Sequence, residues 1–176
     1  MLAQLILTVT CNDRPGVIEA ISRAIEHAGG SWLESRLTHL GGKFAGVVRV
    51  HVEQNNAPRL TQALLELNEN RQIMITVDPL EDTQEKADYV KARFSAIGPD
   101  RVGIVKEISK ALVLEGINVE ELETRISSMP YSGEPIFEAS GVLSLPAHID
   151  LRSLHEKMDA IANILGLDLD VETDTI

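Results

Sequence analysis

The chain has 176 residues, of which 44% are hydrophobic and 24% are charged, so its composition is that of a globular protein and not of a disordered chain. Its 16 basic and 27 acidic side chains give a formal net charge of −11, which disfavours direct nucleic-acid binding because such binding depends largely on neutralising phosphates. The sequence has a single cysteine and no apolar run long enough to cross a membrane, so we expect a cytoplasmic protein without an internal disulfide or a membrane contact.

A strand and a helix are the first predicted elements. Met1–Thr10 is an apolar, partly β-branched run that ends at turn-forming residues, which predicts a strand. Apolar residues at spacings of three and four then predict a helix that buries one face; they are Val17, Ile18, Ile21, Ala24, Ile25 and Ala28. At its boundaries, we expect Asp13 to cap the helix, Pro15 to fit its first turn and Gly29 to end it.

A hairpin, a second helix and a last strand follow. Ser31–Leu40 and Lys43–Glu53 flank Gly41-Gly42, a two-residue loop of the kind that favours a tight hairpin turn. The second helix is predicted from the apolar spacing of Leu60, Ala63, Leu64 and Leu67. The last strand is Gln72–Val77, so the predicted order is strand, helix, strand, strand, helix, strand.

The same order is repeated in the second half of the chain. Asn12–Ile25 (NDRPGVIEAISRAI) reappears as Pro99–Leu112 (PDRVGIVKEISKAL), at the offset of 87 residues that separates Asp13 from Asp100. The remaining elements of the repeat are strands at Tyr89–Ile97, Asn118–Ser127, Ile136–Leu145 and Leu165–Glu172, and a helix with Leu151, Leu154, Met158 and Ile161. The longer connection between Ser128 and Pro135 is the main departure from symmetry, and Gly116 corresponds to Gly29 as a helix end.

The repeat predicts an α+β fold of two ferredoxin-like βαββαβ units, each with an antiparallel sheet and helices on one face. We expect one domain at residues 1–80, a polar linker at 81–87 and a second domain at 88–176. The formal charge is −1 over residues 1–80 and −10 over residues 81–176. One hypothesis is therefore that the acidic second unit docks on a basic surface of a protein partner.

The repeated residues resemble ACT domains, which are small regulatory modules that sense amino acids. The resemblance rests on the Asp-Arg-Pro-Gly turn, on the exits Ala28-Gly-Gly-Ser31 and Glu115-Gly-Ile-Asn118, and on the order of elements, and it covers nearly the whole chain. It implies ligand contacts just before the turn and at the start of the second strand. These positions are Asp13 and Ser31 in the first unit and Asp100 and Asn118 in the second.

The two units match the family pattern unequally. Ser31 stands where the family usually has an amide, and Val102 stands where it has the proline of the turn. The second unit keeps the amide of Asn118, which can both donate and accept a hydrogen bond. We therefore favour the second unit as the one that binds the ligand.

The chemistry of a free amino acid supports a site at the helix starts. A helix N-terminus offers N–H donors to the carboxylate, and Asp13 or Asp100 can accept from the ammonium group. The other candidate ligand-binding residues are Arg14, Gly16, Arg101 and Gly103, of which the glycines let the backbone approach a ligand closely. The alternatives are that the aspartates are caps only and that the arginines are solvated or pair with acids, for which Glu34 and Glu121 are candidates.

Catalysis and RNA binding have less support in the sequence. We expect Cys11 to be a buried thiol, because the nearest histidine in sequence, His27, lies at the far end of the predicted helix. No recognised catalytic, metal-binding or phosphate-binding motif is present, so we predict no cofactor and no metal site. The stretch Gly42–Val48 is similar to an RNA-binding strand motif, but Phe44 is its one aromatic residue.

The resemblance thus implies a non-catalytic regulatory protein that binds a small amino acid, with glycine favoured. It further implies control of glycine-cleavage gene expression through a protein partner such as a transcription activator, without direct contact to nucleic acid. The alternative is a regulatory or accessory subunit of an enzyme of amino-acid metabolism. Self-association through sheet edges or helices, giving a homo-oligomer, is left open.

Overall fold

The computed structural model describes residues 1–80, 89–147, 149 and 151–173. Backbone contacts divide the chain into two units, unit 1 at Met1–Gln84 and unit 2 at Glu85–Ile176. The expected linker at residues 81–87 lies outside the described residues.

Each unit contains four strands and two helices in the predicted order. Unit 1 consists of β1 (Leu2–Asn12), α1 (Val17–His27), β2 (Ser31–Leu40), β3 (Lys43–Glu53), α2 (Ala57–Arg71) and β4 (Met74–Pro79). Unit 2 consists of β5 (Tyr89–Pro99), α3 (Ile104–Leu114), β6 (Asn118–Ser128), β7 (Pro135–Pro146), α4 (Leu151–Leu165) and β8 (Asp168–Thr173). The strand orders are β2-β3-β1-β4 and β6-β7-β5-β8 with antiparallel neighbours, so the predicted α+β fold of two ferredoxin-like units is confirmed.

The core of each unit lies between one sheet face and the two helices. Along β1, Leu5, Leu7 and Val9 are buried and alternate with more exposed residues, as expected for a sheet with one covered face. In unit 2, Ala92, Phe94 and Ala96 of β5 occupy the same role. β1 and β5 lie inside their sheets, so the loops that lead from them to α1 and α3 emerge at one end of each sheet.

Both first helices begin at a glycine and not at the preceding aspartate. Gly16 and Gly103 are the N-cap residues, in the left-handed region with φ of +91° and +97°, and no side chain in the described part of the chain caps either helix. Asp13 instead donates its backbone N–H to the carbonyl of Gly42 at 2.9 Å. The expectations that Asp13 caps α1 and that Pro15 lies in its first turn are therefore wrong. The left-handed Gly16 is the N-cap, so Asp13 and Pro15 both precede the helix.

The predicted glycine signals at helix ends and in the hairpin are confirmed. Gly29 and Gly116 have φ of +70° and +68° directly after the C-caps of α1 and α3. After Gly29, the N–H of Gly30 donates to the carbonyl of Ile25 at 2.9 Å, which closes the helix as a Schellman motif. In the hairpin, Gly41 and Gly42 have φ of +57° and +77°, the two positive values that a type I′ turn requires.

The last strand of each unit begins later than predicted. Gln72 ends α2 in a left-handed conformation, and β4 begins at Met74. Leu165 is the last residue of α4, and β8 begins at Asp168. The sequence misled here because buried residues of the turns, such as Ile73 and Leu167, continue the apolar alternation of the strands that follow them.

Candidate functional site

The loops before α1 and α3 leave the helix N-termini open. Among the described residues, and apart from the chain neighbours of each glycine, no heavy atom lies within 4 Å of the place where a Cβ would stand at Gly16 or Gly103. Because no described side chain caps either helix, the first-turn N–H groups are available to water or to an anionic group. Each unit therefore has an open helix N-terminus at the place where the sequence predicts amino-acid binding.

The loop of unit 1 is held by polar contacts with the neighbouring hairpin. Asp13, half exposed, has its Oδ2 3.8 Å from Nε2 of His39, and Nζ of Lys43 donates to Oδ1 of Asn12 at 2.6 Å. Arg14 is exposed in the same loop. The carboxylate of Asp13 thus lies in the loop before the N-terminus of α1, with the ring of His39 beside it.

The loop of unit 2 has the same backbone and different neighbours. Asp100 is exposed and donates its backbone N–H to the carbonyl of Pro135 at 3.0 Å, as Asp13 does to the hairpin of unit 1. Nη2 of Arg101 donates to the carbonyl of Ile164 at 3.5 Å, and Val102 is fully exposed. The candidate loop in unit 2 thus lies beside the longer hairpin connection.

The structure does not bring the loop residues and the strand-start residues together within a unit. Ser31 of β2 pairs with His51 of β3, and His51 pairs with Gln4 near the start of β1. Asp13, in contrast, follows the last residue of β1. Eight residues of strand separate Gln4 from Asn12, which is about 26 Å at the usual rise of a strand. Asn118 and Asp100 lie at opposite ends of the second sheet in the same way.

Asn118 stands beside a polar cluster that the sequence did not reveal. The cluster consists of Lys91, Glu120 and Ser144. Ser144 is buried and donates its hydroxyl to the Glu120 carboxylate, and Nζ of Lys91 lies 3.1 Å from Oε2 of Glu120. The hydrogen bond from Ser144, followed by the contact with Lys91, holds the pKa of Glu120 below its ordinary value.

The corresponding corner of unit 1 has no such cluster. Strand register places Gln4, Leu33 and His51 at the positions of Lys91, Glu120 and Ser144. Leu33 is exposed and apolar where unit 2 has its carboxylate. The register at this corner was not readable from the sequence, because a β-bulge follows Trp32 in β2 and Val119 in β6.

A further pair of charges lies on the open sheet face of unit 2. A cavity of about 430 Å³ is lined in part by Arg125 and Glu138. Nε of Arg125 donates to Glu138 at 2.8 Å, and Ser127 donates its hydroxyl to the same carboxylate. These contacts raise the pKa of Arg125 and lower that of Glu138, so both charges are satisfied by each other.

Cys11 and Phe44, the candidates for catalysis and RNA binding, belong to the core of unit 1 or pack against it. Cys11 is buried, and burial raises the pKa of its thiol, which is the reverse of what a reactive cysteine needs. Phe44 packs partly buried against the core of unit 1. Within residues 1–80, 89–147, 149 and 151–173, no three His, Cys, Asp or Glu side chains gather as metal ligands. No helix in this described part of the chain has both the length and the apolar character of a membrane crossing.

Known proteins share the sequence features of unit 1 and the fold of both units. The sequence model of the ACT domain family matches residues 3–78. The crystal structure of an unknown protein from Galdieria sulphuraria superposes with a TM-score of 0.88 at 23% identity, covering 99% of this chain and 100% of that one. The crystal structure of a putative glycine cleavage system transcriptional repressor superposes with a TM-score of 0.73 at 16% identity, covering 100% and 99%.

No curated protein matches the chain at a significant level. The family match covers almost all of unit 1, and the superpositions extend the same fold over unit 2. Residues 3–78 therefore belong to the ACT domain family, and the chain as a whole has the fold of two ACT domains in tandem.

Proposed function

We propose that this chain is a non-catalytic regulatory protein that binds a small amino acid at the loop Asp100–Gly103 of unit 2. The observation that carries the proposal is the open, uncapped N-terminus of α3 at Gly103, with a carboxylate three residues before it. The ligand carboxylate accepts from the first-turn N–H groups of α3, and its ammonium group donates to Asp100.

The open space at the loop neither encloses nor excludes a ligand side chain. Nothing within 4 Å of the Cβ position of Gly103 encloses a ligand side chain, so recognition depends on the two charged groups that every amino acid carries. Glycine, which offers little beyond those two groups, is therefore the first ligand to test. Arg101 lies in the same loop and is the cation nearest in sequence to the proposed carboxylate site.

Asn118 would contact the ligand separately from Asp100. It lies about 26 Å along the strand from the loop of its own unit, so a single amino acid cannot touch both within that unit. If both residues prove essential, the ligand contacts Asp100 of one chain and Asn118 of a second copy. Mixing the two single variants would then restore part of the binding, because one mixed pair of chains contains one intact site.

The regulatory output that we propose is control of glycine-cleavage gene expression through a protein partner, with a transcription activator as the first candidate. The full-length similarity in fold to a protein named as a glycine cleavage repressor supports this direction. The net charge of −10 over residues 81–176 favours contact with a basic protein surface over contact with DNA. The ligand would act by binding one conformation of the loop more tightly than another.

A thermal-shift panel of the free amino acids, followed by calorimetric titration, tests the ligand site. A ligand at about 100 times its Kd stabilises a protein by about 2.7 kcal/mol, which moves the midpoint of a unit of this size by several degrees. We expect Asp100→Ala to abolish the shift and the matched unit 1 variants Asp13→Ala and Ser31→Ala to retain it. The absence of a shift with every amino acid, glycine included, would contradict the proposed sensor.

Co-purification tests the output independently of the ligand. Recovery of a DNA-binding activator supports transcriptional control, whereas recovery of a metabolic enzyme supports an accessory subunit instead. If the acidic surface of unit 2 guides the contact, raising the salt concentration weakens it. Binding that is indifferent to ionic strength would contradict the electrostatic part of the proposal.

A further inference from the structure

Unit 2 has an apolar groove on the solvent side of its helix layer. The groove lies between α3 and α4 and has a volume of about 330 Å³. Its floor includes Met158, which is buried, and Ile161, which packs against the core. Leu114 and Ile164 line it with 75% and 78% of their surfaces exposed. Large apolar side chains grouped in this way are more typical of an interface than of a monomer surface.

The positions of unit 1 that correspond to Leu114 and Ile164 have polar residues in the sequence. α1 corresponds to α3 at the offset of 87, and the left-handed residues after α2 and α4, Gln72 and Gly166, align those helices at an offset of 94. The sequence accordingly has His27 in the place of Leu114 and Asn70 in the place of Ile164. The fold therefore does not require apolar residues at these positions, and their presence in unit 2 needs another explanation.

The charges at the rim of the groove are balanced. Glu107 and Lys110 lie on α3, and Nζ of Lys157 on α4 contacts Oε2 of Glu115 at 2.7 Å. Two negative and two positive groups thus surround an apolar floor, although residues 81–176 have a net charge of −10. A partner of one dominant charge would be matched by a rim of the opposite sign. A rim with both signs matches an identical rim, because a two-fold axis brings each charge opposite a different residue of the other copy.

We propose that this groove binds the same groove of a second copy of the chain, in a dimer with two-fold symmetry. Leu114 and Ile164 of each copy fill the groove of the other, and Lys110 faces Glu107 of the partner subunit. α4 has 15 residues and is therefore about 22 Å long, which gives the contact four helical turns from each chain. The proposed contacts of Asp100 and of the first-turn N–H groups of α3 with an amino acid are not part of this contact, so the dimer stands or falls separately from the proposed function.

Sedimentation velocity of the full chain tests the dimer directly. We expect a concentration-dependent species of twice the 19.3 kDa chain mass. The double variant Leu114→His/Ile164→Asn, which introduces the residues of unit 1, should raise the dimer Kd by about 100-fold, because each change acts at two symmetry-related places. The control is Leu65→Asp, since Leu65 is an exposed leucine of α2 outside the groove and Asp159 stands at its place in α4.

Charge reversal distinguishes a second copy from any other occupant. Lys110→Glu should weaken the dimer, and adding Glu107→Lys in the same chain should restore it, since both copies then have exchanged charges. A different protein or a small molecule in the groove would not be rescued by that second change. Circular dichroism checks that each variant is folded. A chain that stays monomeric at all concentrations, or a dimer that Leu114→His/Ile164→Asn leaves unchanged, overturns the proposal.

Discussion

Unit 1 and unit 2 have nearly the same backbone at their helix starts and helix ends. The N-cap glycines have φ of +91° and +97°, and the glycines that follow α1 and α3 have φ of +70° and +68°. Each loop is also joined by one backbone hydrogen bond to the hairpin of its own unit. Because both units have these features, the proposed preference for unit 2 rests on Asn118 and not on the helix starts.

The surfaces of the two units differ in three places. Unit 2 has a polar cluster at the start of β6, an apolar groove between α3 and α4, and a longer hairpin connection. Unit 1 has Leu33 at the cluster, His27 at the groove and a two-glycine turn. Unit 1 has the same fold with its own residues at these surface positions, so the fold does not require the residues of unit 2. We therefore assign the specialised surfaces to unit 2.

The cores also reach similar packing with different residues. Strand register places Phe94 of β5 opposite Gly141, where unit 1 has Leu7 opposite Val48. A Cβ at Gly141 would lie 2.6 Å from a ring carbon of Phe94 and would overlap the carbonyl oxygen of Glu121. The carbonyl oxygen of Glu121 and the ring of Phe94 together require glycine at this position, where unit 1 has valine.

The largest expected effect comes from removing this difference. We expect Gly141→Ala to destabilise unit 2 by about 3 kcal/mol, because a rigid backbone oxygen and a buried ring both oppose the added carbon. Adding Phe94→Leu should recover only part of the loss, since the oxygen of Glu121 remains. Urea unfolding followed by far-UV circular dichroism measures the change.

Trp32, the one tryptophan of the chain, provides the control for that experiment because it packs against the core of unit 1. Its fluorescence transition should keep its midpoint in Gly141→Ala if unit 1 unfolds independently. A loss below about 1 kcal/mol, the ordinary cost of a point substitution, would show that β6 moves aside easily and that the glycine is not required.

An equal effect in both units is expected at the helix starts. Gly16→Ala and Gly103→Ala should each cost about 1 to 2 kcal/mol, because a left-handed backbone is unfavourable for a residue with a Cβ. Space is open at both positions, so conformation and not collision sets the cost. Asparagine, which tolerates this region better, is the control substitution at each site. Clearly unequal losses in thermal unfolding would show that the two loops differ in more than their neighbours.

A smaller and pH-dependent effect is expected at Glu120. Its folded pKa lies below the ordinary value near 4.5, so the carboxylate stabilises the fold above that pH and loses this contribution as the pH falls through the folded pKa. Glu120→Gln should cost about 1 kcal/mol at pH 7 and nearly nothing below the folded pKa. Unfolding of both proteins between pH 7 and pH 3 measures the difference. Parallel stability curves over this range would contradict the assignment to Glu120.

Local patterns were sufficient to predict the fold. The alternation of β1, the stripe of α1 and the turn glycines each depend on neighbouring residues, and the repeat showed the same pattern twice. The helix caps were harder, because Asp13 and Gly16 are both common before a helix and only the backbone angle decides between them. The strand starts at Met74 and Asp168 were missed for a similar reason, since buried turn residues extend the strand pattern.

The site required information that is not local. The separation of Asp13 from Ser31 follows from how three strands pair, and a sequence shows neither that register nor the bulge after Val119. The cluster of Glu120 and Ser144 joins residues 24 positions apart through the same register. The loop residues could be named from the motif, whereas their distance from Asn118 could be found only from the sheet.

The smallest expected effect is at the ion pair between α3 and α4. Unit 1 has Ala28 and Ala63 where unit 2 has Glu115 and Lys157, so the double variant Glu115→Ala/Lys157→Ala introduces the unit 1 pair. Half of the Lys157 side chain is exposed, and such pairs contribute about 0.5 kcal/mol or less, because water screens the charges and two long side chains lose freedom. Thermal unfolding at low protein concentration should show that difference and should lose it in high salt. A loss several times larger that persists in salt would mean that the pair holds the two helices together, and the polar face of unit 1 would then need another contact to replace it.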